Sequence, residues 1–408
     1  MKPLEGITVV DLTQALAGPY GTFLLGALGA RVVKVERPDG GDRVRSHPPY
    51  AGADGVSMRP GGDTDVSVPF LSRGRGKESI TLDLKHPEGS GVLLDLVRGA
   101  DVVVENFSRG TADRLGVGYE ACRAVNPQIV FCALSGFGAE GPAGEGKAYD
   151  AVIQALSGAM LLSGEEGDPP VRIGMPFADL ISPLFGVIGI LSALRVRDVT
   201  GEGQFVDVSM LGAVTSLVAS EPFELLERFG IAARTGNSTI RLTPFGIFRT
   251  ADGHVAICST NDHEVARLFG EMGREELLAD ERFATVQQRV ANHHLVNATI
   301  EEWTSTRATE AVVDVLAAAG LAVAPVRTPS EAVRDGQVLG RGETVQLSHP
   351  MHGEIDGLYG PGLPIRFSAA ETDIGPPPVL GHHTDAVLAD LAGYPPDRVA
   401  ELRARGVI

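Results

Sequence analysis

ITVVDLTQALAGPYGTFLLGALGARVVKVER, residues 7–37, decides the fold. ITVVDL (7–12) is a short β-branched apolar run, QALAGPYG (14–21) a turn of small residues, TFLLGALG (22–29) a helix pattern, and RVVKVER (31–37) a second strand. Apolar runs of this kind suit parallel strands covered on both faces, so the segment reads as a βαβ unit. The alternation continues through ITLDL (80–84), a helix from Pro87 to about Gly99, DVVVENF (101–107), a helix near Tyr119–Val125 and IVFCAL (129–134). Strand and helix in turn at this spacing predict an α/β fold with an open, doubly wound parallel sheet. Ligands on such sheets sit beyond the carboxyl ends of the strands. Those ends read TQALAG, ERPDGGD, ENFSRG and LSGFG. The Gly/Pro/Asp-rich interval 38–70 is long for a connection and is expected to be a loop near the site.

The 408 residues suggest two domains. The pattern changes after about residue 230: PFGIFRTADGHVAICST (244–260) predicts a hairpin around Asp252-Gly253, followed by helices at 262–272, 290–304 and 309–319 and a strand at 321–326. This is a separate small α+β domain. Near the end, GHHTDAVLADLAG places Thr384 as an N-cap.

Net charge is −17, which argues against nucleic acid as a partner. Residues 1–125 are nearly neutral, with 15 Lys+Arg against 16 Asp+Glu, while the remainder holds 20 against 36. A polyanionic small ligand is best tolerated in that first third. Three widely spaced cysteines (Cys122, Cys132, Cys258) give neither a disulfide framework nor a metal knuckle, which fits a reducing cytosol. The opening MKPLEGITVVDL lacks the pattern of a signal peptide. His293-His294 and His382-His383 lack helical ligand spacing, and no metal is expected. GPYGTFLLGALG with Glu36 beyond it lacks the G-x-G-x-x-G of a dinucleotide site, and Ser135 in ALSGFG is not a nucleophile elbow.

GMPFADLISPLFGVIGIL (174–191) carries one charge, Asp179, among apolar residues. A lone carboxylate there is costly to bury and needs a reason. The apolar run after Pro183 lasts about a dozen residues, shorter than a membrane span needs, so a buried helix is expected. Asp179 as a helix cap or loop residue is the bland reading; Asp179 as a nucleophile is the chemical one. Four cations, Arg37, Lys77, Arg114 and Lys147, fall near strand ends or in a Gly-rich loop and are expected to share one sheet edge, where they would hold phosphates.

LEGITVVDLTQALAGPY, LGARVVKVERP, GKESITLDLKHPEG, VVVENFSRGTADRLG, KAYDAVIQALSG, the Asp179 stretch with TGEGQFVDVSM behind it, PFGIFRTADGHVAI, VRTPSEAVRD and LGHHTDAVLADL occur in register over nearly the whole chain. Together they resemble class III CoA-transferases of the formyl-CoA and carnitine-CoA transferase type. The resemblance implies that Asp179 is the catalytic nucleophile. It also implies that Ala15, Leu16, Arg37, Gly74, Arg75, Lys77, Asn106, Phe107, Arg114, Lys147 and Tyr149 line or flank a CoA groove. It implies coenzyme A and acyl-CoA as substrates with no permanently bound cofactor, a carboxylic acid as the second substrate, no membrane partner, and a cytoplasmic enzyme. It further implies a Rossmann-like large domain built from both chain ends (1–200 and 351–408), linkers at 201–230 and 327–350, a small domain at 231–326, and an interlocked homodimer.

In the mechanism so implied, Asp179 attacks the donor thioester, giving an anhydride and then an aspartyl-CoA thioester that the acceptor acid takes over. A carboxylate with an ordinary pKa of roughly 4 is already ionised at neutrality and needs no base. GNSTIRLTPFG (236–246) lacks the glycine run of formyl-CoA transferases, and His47 stands where those enzymes place an indole, which argues against oxalate and formate. Arg43, Arg45, His47 and Arg241 are candidates to meet a larger or dicarboxylic acid. Two other functions fit the same architecture. In α-methylacyl-CoA racemases a histidine occupies the place of Tyr149, and tyrosine is a poor base at neutrality. A non-catalytic acyl-CoA binding protein would have no need of Asp179 beside Lys147.

Overall fold

The computed structural model describes residues 1–62, 64–142, 146–372 and 374–408, which divide into two compact units. The first comprises residues 1–159, 172–220 and 333–408; the second, 160–171 and 221–332.

The first unit is built on six strands: β1 (Thr8–Asp11), β2 (Arg31–Glu36), β3 (Lys77–Thr81), β4 (Val102–Glu105), β5 (Val130–Ser135) and β6 (Phe205–Ser209). All pair in parallel, in the order β3-β2-β1-β4-β5-β6. The order reverses between β1 and β4, and the crevice at that switch point is where such sheets take ligands. Side chains alternate between two apolar layers. Val9, Val32, Val102 and Cys132 pack toward helices α1 (Ala17–Ala27) and α3 (Phe177–Thr200). Val10, Val33, Val103 and Phe131 pack toward Leu93, Leu96, Leu388 and Leu402, so helices near the end of the chain cover the second face.

Glycine is required where α1 meets its neighbours: a Cβ on Gly18 would come within 2.4 Å of Thr13, and one on Gly21 within 3.1 Å of Pro183.

Residues 201–230, expected as a linker, instead supply β6 and a helix, Met210–Val218. β6 completes the sheet edge beside β5, which its FVDVS pattern favours. The 327–350 linker likewise contains Thr344–His349, which pairs antiparallel with Gly353–Pro361. The 38–70 loop holds a small antiparallel sheet (Tyr50–Gly52, Gly55–Ser57, Val66–Ser67) and leads into α2 (Val68–Arg73). Thr384 is the first helical residue and His383 the cap; the Thr384 hydroxyl instead accepts from Thr81 N at 3.1 Å and donates to Gly381 O.

Helix α3 continues through Pro183 for 24 residues and is long and apolar enough to cross a membrane, yet 44% of its most apolar stretch is buried. Its other face, with Leu184, Phe185, Ile188, Val196 and Val199, is exposed, so the expected burial covers one side only. In the second unit the hairpin Phe245–Arg249/His254–Cys258 forms about Asp252-Gly253 and is joined by Ala322–Pro325.

Beneath the switch point lies a buried ionic cluster. Lys34 Nζ pairs with Asp42 Oδ2 at 3.1 Å and donates to Thr13 O at 2.8 Å. Lys77 Nζ pairs with Asp11 Oδ2 at 3.0 Å and donates to Thr22 Oγ1 at 2.7 Å. Burial pushes the Asp11 carboxyl up, but Lys77, Lys34 and the hydroxyls of Thr13 and Thr22 hold it well below the usual range. Removing one partner of such a pair strands the others without water. We expect Lys34→Met to cost about 3–5 kcal/mol of stability, read as a shift of the urea unfolding midpoint, whereas exposed Arg59→Met should shift it little.

Candidate active site

The chain leaves β1 through Thr13-Gln14-Ala15-Leu16 before α1 begins. Ala15 has φ +67°, the one positive φ outside glycine among the described residues. Such a turn costs about 1–3 kcal/mol and persists only when its surroundings fix it. Ala15 N donates to Asp42 Oδ1 at 3.1 Å. Asn106, just past β4, receives Gln14 N and returns its own amide to Gln14 O, both at 2.8 Å. The switch point is therefore stitched shut below its mouth by one side chain from each flank.

Two adjoining cavities lie at this edge. One, of about 390 Å³, is lined by Arg37, Arg43, Leu82, Lys85, Phe107 and Leu115, among others. The other, of about 160 Å³, is lined by Ala15, Leu16, Ala17, Arg43, Asn106, Phe107, Arg109, Tyr149 and Asp179, among others. Arg43 and Phe107 belong to both, so the two adjoin as one groove, with Arg37, Arg43 and Lys85 beside Glu36 and Asp83 in one part and the Asp179 carboxylate in the other. A further cavity, of about 770 Å³, is lined by Arg75, Arg341, His349, Arg366 and Ile374, among others, and shares no lining residue with the groove.

Asp179 stands in the first turn of α3. Asp150 caps that turn, accepting from Ala178 N at 2.8 Å and Asp179 N at 3.4 Å. Gln154 donates to the other Asp150 oxygen and accepts from Ile173 N at 2.8 Å, fixing the approach to the helix. Pro183 has no N–H to give the Asp179 carbonyl. Burial, reinforced by the nearby Asp150 charge and only partly offset by Arg73, pushes the Asp179 carboxyl up to about 6. The ordinary pKa expected from sequence is thus replaced by a more basic one.

The sequence-derived residues separate clearly. Ala15, Leu16, Arg37, Asn106, Phe107, Tyr149 and Asp179 line the groove. Arg114 is exposed on the turn between lining residues Thr111 and Leu115, and donates to Thr111 Oγ1 at 2.8 Å. Lys147 is exposed between lining residues Gly146 and Ala148, while residues 143–145 of its loop lie outside the described residues.

Three residues are not in the groove. Lys77 begins β3, at the opposite end of the strand from the ligand edge, and its ammonium is sealed against Asp11. Gly74 is buried at the end of α2, where a Cβ would strike Phe70 at 2.8 Å. Arg75 faces the large cavity, its guanidinium over the Phe23 ring at 5.0 Å and donating to Ser72 O. Among the residues considered for an acceptor acid, Arg43 lines the groove and His47 is exposed. Arg45 is committed to Glu36 at 2.7 Å and stacks on Phe70, and Arg241, in the second unit, is paired with Glu221 at 2.7 Å.

Sequence reasoning missed Lys85, Arg109, Arg73 and the Asp150–Gln154 brace. Lys85 had a signal: it follows β3, at the carboxyl end, where Lys77 precedes it. Glu36, weighed as a ribose anchor, is occupied by Arg45, Ser79 and Asp42 N. Among the described residues no group of three or more His, Cys, Asp or Glu could hold a metal ion.

The family described as "CoA-transferase family III" matches residues 4–384. Succinyl-CoA:glutarate CoA-transferase of Mus musculus is 32% identical over 410 residues, spanning 100% of this chain and 91% of that protein. Acetyl-CoA:oxalate CoA-transferase of Acetobacter aceti is 36% identical, spanning 90% and 89%. The crystal structure of a CAIB/BAIF family protein from Brucella suis superposes with a TM-score of 0.82 at 36% identity, covering 96% of this chain and 99% of that one.

The Asp179 carboxylate should take up a proton as pH drops through about 6. Replacing Asp150 by Asn keeps a cap oxygen but removes the repelling charge, so the midpoint should move toward the ordinary value near 4. Carboxyl ¹³C shifts of Asp179 followed across pH would show both titrations, and an unmoved midpoint in the Asp150→Asn protein would refute the coupling.

Proposed function

Since this chain belongs to CoA-transferase family III and is an enzyme, we propose that it carries CoA from an acyl-CoA to a carboxylic acid through covalent intermediates on Asp179, with a dicarboxylic acid on at least one side of the exchange. The observation that carries the reading is the groove itself. One end offers Arg37, Arg43 and Lys85 with apolar walls for a phosphorylated nucleotide, and the other ends on a carboxylate raised to about 6. The substrate class is supported by relatives whose names contain succinyl, glutarate and oxalate. Oxalate therefore belongs among the acids to be tried.

In this reading the CoA arm lies along the groove and brings the thioester carbonyl to Asp179. An Asp179 oxygen attacks that carbon, the C–S bond breaks, and CoA leaves as its thiolate with a mixed anhydride behind it. The thiolate attacks the Asp179 carbonyl carbon, releasing the donor acid as carboxylate and forming an aspartyl-CoA thioester. An oxygen of the acceptor carboxylate attacks the same carbon and expels the thiolate. The thiolate then attacks the acceptor's acyl carbon, giving the new acyl-CoA and restoring the Asp179 carboxylate. No proton is gained or lost overall.

The raised pKa helps twice: the oxygen is more basic than an ordinary aspartate, hence a better nucleophile, and at pH 7 it is still roughly nine-tenths ionised. Each tetrahedral intermediate needs donors for its oxyanion. Helix α1 supports this role, since it begins without a side-chain cap and Ala17, in its first turn, lines the same cavity as Asp179. None of these acyl-transfer steps calls for a cofactor beyond CoA itself.

The exposed apolar face of α3 supports a second part of the proposal, that two copies associate. Light scattering should give a mass about twice the monomer's 42.8 kDa; a monomer at micromolar concentration would count against it.

Asp179→Ala should still bind CoA while transfer falls by at least about 10³-fold. Wild-type enzyme given donor alone should show a CoA adduct on the Asp179 peptide by mass spectrometry. Transfer that survives the substitution unchanged would remove Asp179 from the mechanism.

A further inference from the structure

Helix α2 ends at Arg73, and this side chain is unusual among the arginines. Its Nε is closed off from solvent and has no hydrogen-bond partner. Arg234 and Arg267 also have a buried, unpartnered Nε, but both place their terminal nitrogens on carbonyl oxygens. Arg289, which is fully buried, is satisfied by Thr243 O, Phe283 O and Asp262. Among the described residues, Arg73 is the one arginine not exposed to solvent that makes neither a hydrogen bond nor an ion pair.

The Nε of Arg73 has given up water without replacement, which is costly, while its terminal nitrogens hold no protein partner and stay open to a ligand. Burial pulls its pKa down, and the charges that pull back are Asp42 and Asp179. Asp42 is already bound to Lys34 at 3.1 Å and to the amides of Ala15 and Val44. Asp179 is the groove's nucleophile, so no fixed protein anion is free to complete Arg73. Arg73 and Asp179 are near enough for each charge to act on the other, and the open terminal N–H donors of Arg73 suit a second, mobile carboxylate.

We propose that Arg73 binds the far carboxylate of a dicarboxylic acyl group whose near carbon is being exchanged at Asp179. The inference rests on the transfer reading above and adds the residue that selects the substrate class. The donor acyl group and the acceptor acid take turns beside Asp179, so either can present that carboxylate. A monocarboxylic acyl group of the same length leaves Arg73 unsatisfied. Discrimination therefore arises from a charge-assisted pair that only a dicarboxylic group can make with the terminal nitrogens, rather than from a steric wall.

The test compares wild type, Arg73→Met and Arg73→Lys at pH 8, where Asp179 is ionised. In the donor arm, rates of forming the Asp179–CoA adduct are measured with succinyl-CoA and with butyryl-CoA. In the acceptor arm, kcat/KM is measured for glutarate and for valerate with one fixed donor. The wild type should prefer the dicarboxylate member of each pair, and Arg73→Met should lower that preference about tenfold or more. Arg73→Lys should restore part of it, since a point cation keeps the charge but not the fork.

A preference that falls in one arm only assigns the carboxylate to the donor or to the acceptor; a fall in both assigns it to a shared position. A preference unchanged by Arg73→Met, or absent from the wild type while the adduct still forms, overturns the inference and leaves the transfer reading standing. Absence of the adduct with every donor removes the transfer reading and this inference with it. Because the readout is a ratio between substrates, general loss of folded enzyme does not imitate the expected result.

Discussion

A single ammonium group, that of Lys34, ties the exit of β1 to the loop after β2 at the floor of the groove. It lies under the switch point of a parallel sheet, where the connections leaving β1 and β4 part and the chain on either side needs an anchor. Through Asp42 it fixes both the strained Ala15 turn and the start of the Arg43 segment, and through Thr13 O it fixes the exit from β1. Nothing in the apolar layers specifies those loops. Hydrophobic packing builds the sheet and its helices, and the buried charges decide the shape of the rim.

The site itself follows a similar logic, with polar groups placed where water is scarce. Asp179 is made more basic by burial and by Asp150, while Asp150 serves at the same time as the cap that positions it. One carboxylate thus orients the other and tunes it. Arg73 adds a cation without forming a pair, which moderates the charge of Asp179 without occupying it.

Much of this was legible in the amino-acid order. The apolar runs at 7–12, 31–37, 101–107 and 129–134 fall on β1, β2, β4 and β5, and the Asp252-Gly253 turn falls on its hairpin, because period and turn chemistry are local properties. The isolation of Asp179 among apolar residues was also visible. What escaped was direction and partnership. Lys77 and Lys85 bracket the same strand, and only knowing which end faces the ligand separates a buried structural lysine from one in the groove. β6 was missed as a sheet member because it follows a long helix rather than a short connection. The meaning of Arg73 lies in what it lacks, which no linear pattern records. Arg75, two positions along, looks identical in sequence and faces another cavity.

Asp179 is mounted on a joint rather than on a rod. Both backbone groups of Asp179 stand outside the regular ladder of α3: its N–H turns to Asp150, and its carbonyl receives nothing from Pro183. The orientation of the carboxylate is consequently steered from the segment around residues 146–154, not from the long helix behind it. Substitutions in that glycine-containing approach therefore have leverage on the Asp179 carboxylate from outside the groove floor, while the sheet stays as it is.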